Sequence, residues 1–184
     1  RPNDEFFLMG RLPRQAPPPN GAAPTATPPA PPSPPPKVEP PPVRENSDDL
    51  VPLVVHPAYS GPALHMYDAW LTPDRARRFL FATPAGRIVH CEIDPVVGGR
   101  FRIVDRRGEV EAGHNGQFVA VERPRRLVFD FWVDGYEDHR DRITLDFEPT
   151  ADGCIVSLSQ RVAPEHLART RAGWESILRA AEGV

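Results

Sequence analysis

Apolar residues alternate with polar ones most clearly toward the C-terminal half of the chain. In RLVFDFWV, Arg126–Val133, the residues Leu127, Phe129, Phe131 and Val133 share a parity, and in 140–148 so do Ile143, Leu145 and Phe147. A period of two places each set on one face of a β-strand. The same reading predicts strands over 87–94, 100–106, 109–122, 126–133, 140–148 and 154–161. They are punctuated by Val97-Gly98-Gly99, Arg107-Gly108, Glu122-Arg123-Pro124 and Ala151-Asp152-Gly153, residue types that favour turns. A bulge is expected near Gly113 or Gly116 in the long third strand.

The elements flanking this meander differ. LVPLVV from Leu50 reads as a strand, and Pro52 suits an edge or irregular one. Ser60-Gly61-Pro62 and Thr72-Pro73-Asp74 both place a capping residue ahead of an early proline, predicting two short helices in tandem, the second reaching Phe81. From 164 to 182 the apolar residues Leu167, Trp174, Ile177, Leu178 and Ala181 follow helical spacing. Gly173 lets that helix approach a sheet. A curved antiparallel sheet wrapping its concave face around the C-terminal helix buries all of these apolar faces together, an α+β architecture.

Composition separates this domain from what precedes it. Of 25 prolines, sixteen fall before Leu50 and only six after Pro62. Residues 1–49 are expected to be a disordered proline-rich tail with polyproline II character, acting as a spacer or as a ligand for an SH3-like or WW-like groove. Residues 50–184 are expected to form one domain, long enough to close a single core. Phe6–Met9 is a short apolar patch, too brief for a signal-peptide core. A net charge of −3 gives no general attraction to nucleic acid. No apolar run reaches the roughly 20 residues of a membrane span. Two cysteines are too few for a disulfide framework, so a reducing, cytoplasmic setting is expected.

Four strings then become familiar: YDAWLTPDRARRFL (67–80), DPVVGGRFR (94–102), VERPRRLVFDF (121–131) and GWESIL (173–178). Together they resemble the SRPBCC, or START-like and Bet v-like, helix-grip superfamily, and within it the branch named after the activator of the heat-shock-protein-90 ATPase. The resemblance implies about seven antiparallel strands, two short helices and a long C-terminal helix across the concave face. It also implies a cavity for a small hydrophobic or amphipathic molecule or lipid, as in many members. The co-chaperone that names the branch implies instead a protein partner, a chaperone. A minority of the superfamily are cyclase- or hydrolase-like enzymes.

A grip of this kind opens its pocket where sheet and helix diverge. Phe101, Ile103, Phe118, Phe129, Phe131, Leu145, Val156, Leu158, Trp174 and Leu178 are the candidate lining residues, with ordinary core packing as the alternative for each. His90 and His114 are candidate polar groups within it, since a neutral imidazole donates, accepts or transfers a proton near neutral pH. No catalytic residue is assigned. HxxxH and HExxH spacings, a P-loop and GxGxxG are all missing from the sequence, so neither metal nor cofactor is expected. Asp94 with Gly98 and Gly99 reads as a turn, Arg100, Arg102, Arg106 and Arg107 as a solvated convex face, and Trp132 as a partly exposed convex residue. Oligomeric state stays open.

Overall fold

A computed structural model describes residues 49–184. The proline-rich tract and the Phe6–Met9 patch lie outside the described residues. Eight strands form one antiparallel sheet: β1 (Val51–Val55), β2 (Ala58–Tyr59), β3 (Arg87–Ile93), β4 (Arg100–Arg107), β5 (Val110–Glu122), β6 (Arg126–Val133), β7 (Asp141–Thr150) and β8 (Gly153–Val162). Their order is β1-β8-β7-β6-β5-β4-β3, with two-residue β2 also on β8. The last six strands are therefore a meander, and the first returns to pair with the last. Val51 faces Val162 and Leu53 faces Gln160 in that pairing. Pro52 fits because β1 has a strand on one side only.

The bulge in β5 lies between Phe118 and Ala120, beyond the expected glycines, and the extra residue Val119 stands exposed. Gly116 stays in register for another reason. An added Cβ there would collide with the Phe101 ring, so glycine makes the floor on which that ring lies.

Helix α1 covers Ala63–Leu71 and α2 only Pro73–Ala76. Neither uses the side-chain cap expected of Ser60 or Thr72: the first N-cap position is Pro62, and Thr72 Oγ1 donates back to the Asp68 carbonyl at 2.8 Å. The second helix stops short of Phe81 because Phe79, Leu80 and Phe81 are all buried. Three consecutive residues cannot lie on one face of a helix, so the chain turns, and Phe81 takes φ 58°.

Helix α3 (Leu167–Ala181) follows a single 3-10 turn over Pro164–His166. It buries Thr170, Trp174, Ile177, Leu178 and Ala181, a helical stripe against the concave face. Trp174 is 1% exposed. Its indole N–H donates to Gln160 Oε1 at 2.5 Å, and its ring meets Phe131 and Phe81 at centroid distances of 6.4 and 6.0 Å.

Trp174→Ala should therefore lower stability by roughly 3 to 5 kcal/mol, the range for losing a buried large aromatic. Trp174→Phe keeps most of the packing but leaves Gln160 unpaired, for about 1 to 3 kcal/mol. Urea unfolding midpoints for the two variants measure both losses.

Candidate functional site

The strand registers bring the candidate lining residues onto one surface. Phe101 opposes Gly116, Phe118 opposes Phe129, Leu145 opposes Leu158, and Phe147 opposes Val156. All ten candidates are buried. Their rings fill the concave face: Phe101 stands edge-on to Phe129 at 5.3 Å, and Phe118 to Phe129 at 6.2 Å. The space left beside Phe101, Phe118 and Phe129, closed by Trp70, Leu71, Leu80, Ile93 and Leu127, is about 10 Å³. A water molecule barely fits in such a volume.

The two histidines part company. His90 is half-exposed on β3, 3.5 Å from the Glu92 carboxylate and outside this interior. His114 lies on the concave face opposite Ile103, 7% exposed, with the Phe81 ring stacked on it at 4.3 Å and 5°. Its Nδ1 has no hydrogen-bond partner. Burial, then the nearby Arg107 charge, pushes its pKa down to about 4, so the ring is neutral at physiological pH.

Beside it stands a residue that was not among the candidates. Asp105 is fully buried. Its Oδ2 accepts from Thr83 Oγ1 at 2.9 Å and from Arg107 Nε at 2.6 Å, while Oδ1 has no partner. The available signal was its alternation with Phe101 and Ile103, which puts a carboxylate on an inward parity. Arg107 shares that parity and turns toward Asp105, unlike Arg102 and Arg106, which pair with Asp134 and Glu111. The expected solvated arginine face therefore loses Arg107. Trp132 also departs from expectation: it is 8% exposed, with the Arg140 guanidinium 4.0 Å above its ring. The Asp94 segment is a turn, closed by the Gly99 N–H on the Val96 carbonyl at 2.8 Å.

A larger space lies at the sheet edge. Between 54–59, which includes β2, and one side of α3 runs a groove of about 460 Å³. Val55, Pro57, Ala58 and Leu178 supply apolar lining, with Arg171, Glu175, Arg179 and Glu182 along the helix. Two bonds frame it: Tyr59 OH donates to the Leu178 carbonyl at 2.6 Å, and Arg171 donates to the Val54 carbonyl at 2.9 Å. Burial raises the Tyr59 hydroxyl pKa well above its usual value, keeping it a donor. Of the ten candidates only Leu178 lines this groove. Among the described residues, no His, Cys, Asp and Glu side chains gather as metal ligands would, and no helix is long and apolar enough to cross a membrane.

Residues 61–181 match the profile of the family described as Activator of Hsp90 ATPase homolog 1-like protein. The chain belongs to this family. It stands within the SRPBCC helix-grip superfamily, and the helix-grip fold recurs in solved structures. A Chromobacterium violaceum protein is 18% identical with a TM-score of 0.65, over 72% of this chain and 96% of its own. An AHSA1-like protein from Aeromonas hydrophila is 24% identical with a TM-score of 0.63, over 72% and 90% respectively. A Rhodobacter sphaeroides protein is 21% identical with a TM-score of 0.62, over 72% and 90%. No curated protein sequence matches. Family and fold together support a ligand-binding or co-chaperone-like domain in general terms.

Because the folded pKa of His114 is depressed, the unfolded chain takes up a proton that the folded one refuses as pH falls from about 6.5 to about 4. Stability conferred above that window is lost across it, to the extent of about 3 kcal/mol for this group. His114→Gln should flatten the decline relative to the parent protein. Urea unfolding at several pH values, compared between the two, reads the difference.

Proposed function

We propose that this chain is a binding domain for a small amphipathic molecule, held in the groove between the β1–β2 edge and α3. One observation carries the reading: the groove holds about 460 Å³, within the roughly 300 to 1,000 Å³ of small-molecule sites. The space beside Phe101, Phe118 and Phe129 is only about 10 Å³.

The lining sets the ligand class. Val55, Pro57, Ala58 and Leu178 suit an apolar body, and the helix side adds charges one turn apart, Arg171, Glu175 and Arg179. Arg171 is engaged with the Val54 carbonyl. Arg179 forms no ion pair among the described residues and is the group to meet an anionic head, as on a medium-chain carboxylate.

Dodecanoate should bind saturably by calorimetry. Ala58→Trp, which fills the groove from β2, should weaken it about ten-fold or more, and Arg179→Gln should weaken dodecanoate more than dodecanol. Phe118→Ala, which enlarges the interior instead, should leave the affinity unchanged. Undiminished binding to Ala58→Trp would remove the groove from the account.

A further inference from the structure

Strand β3 ends the sheet on the side opposite β1, with β4 as its neighbour. Among the described residues no backbone hydrogen bond reaches its outer edge, so N–H and C=O groups face outward there, ready to pair with another strand. Ile88, Val89, Cys91 and Ile93 along it are half-buried, an apolar strand left partly covered.

A bulge decides which of its side chains share a face. The register with β4 slips at Val89: Arg87 opposes Arg106 and Ile88 opposes Asp105 before it, while Cys91 opposes Ile103 and Glu92 opposes Arg102 after it. Opposed residues point the same way. Arg87 and Glu92 therefore both stand on the convex face, with Arg106 and Arg102, and Ile88 and Cys91 both turn toward the concave one. On an unbroken strand the same spacing would send Arg87 and Glu92 to opposite faces.

Within one copy these two charges are poorly matched. Arg87 lies beside a like charge, Arg106, which already pairs with Glu111, and Arg87 forms no ion pair among the described residues. Glu92 is 79% exposed, its carboxylate 3.5 Å from His90 Nε2. The arginine opposite it, Arg102, is taken by Asp134.

We propose that the outer edge of β3 is an interface between two copies of this chain, paired antiparallel about a two-fold axis into one continuous sheet. The register that sets Arg87 beside Glu92 of the second copy also sets Ile88 beside its Cys91, and symmetry makes each match twice. Faces agree at both positions, and the two bulges meet at the axis. Charges and a bulge usually protect an edge from strand addition. Here they are complementary to themselves, so they discriminate against other strands and admit a second β3. Residues 87–92 of each copy do the pairing, a short contact that makes the dimer weak and concentration-dependent. The edge groove lies at the other end of the strand order and stays open in it.

Sedimentation equilibrium of the full chain should show monomer and dimer exchanging with a dissociation constant of about 10 to 100 μM. Arg87→Glu and Glu92→Arg each oppose like charges twice and should weaken the dimer about ten-fold or more, whereas the double variant Arg87→Glu/Glu92→Arg should restore it. A second readout fixes the register. Ile88→Cys sets a thiol opposite Cys91 of the other copy, about 5 Å away between Cα atoms, while the two positions lie about 10 Å apart within one strand. Air oxidation with copper phenanthroline should then link the dimer, and adding Cys91→Ser should abolish the link. Dodecanoate binding should be unchanged in the charge variants, so the dimer and the groove stand or fall separately. A chain monomeric at about 500 μM, a dimer indifferent to both reversals, or a double variant as weak as the single ones would overturn the interface. A monomer that instead takes up extended peptides would assign the edge to another strand and equally overturn the second copy.

Discussion

Closure of α3 over the concave face is the constraint on which the rest of the structure depends, and Trp174 is its centre. The indole buries a large apolar area and still satisfies its N–H on Gln160, so helix and sheet are joined by packing and by a directed bond together. The sheet must then offer a surface shaped to the helix. Phe131, whose ring meets Trp174 at 6.4 Å, provides part of it, while Phe101 over Gly116, with Phe118 and Phe129 set edge-on, fills the neighbouring floor beneath Trp70, Leu71 and Leu80. Such filling is the close packing of a protein interior, and it moves the ligand-sized space away from the middle of the grip to its β1–β2 edge.

The same closure places polar groups under aromatic ones. His114 becomes neutral because burial removes the water that would stabilise its charged form. Asp105 remains paired through Thr83 and Arg107 on one oxygen. Phe81 completes the cover by adopting a backbone conformation disfavoured for its residue type. The unmet His114 Nδ1 and Asp105 Oδ1 and the left-handed Phe81 lie together at this end of the grip, where the Phe81 ring also meets Trp174 at 6.0 Å.

How much of this was legible in the sequence depends on the physical range of each signal. Period-two alternation located β6 residue for residue, because Leu127, Phe129, Phe131 and Val133 face one way without interruption. The helical stripe of α3 was equally readable. The end of α2 was not, since Phe79, Leu80 and Phe81 are buried by contacts from several directions that no single periodicity encodes. The pairing of β1 with β8 joins residues a hundred positions apart and had no local signature. Among site residues, the concave aromatics could be placed but not their mutual filling, which depends on ring orientations. The edge groove lies where Pro52 and Pro57 interrupt the pattern, and Leu178 alone linked it to the expected lining. Asp105 shares the inward parity of Phe101 and Ile103, but a charged side chain among arginines carries no local sign of burial.

The central claim is that the amphipathic ligand of this family member sits at the edge of the grip, outside its filled interior. The most direct measurement is a structure of the protein crystallised with saturating dodecanoate. The account predicts density for the acyl chain along Val55, Pro57, Ala58 and Leu178, with Phe101, Phe118 and Phe129 in their present packing. An acyl chain lying among those three phenylalanines, with the edge groove empty, would contradict it.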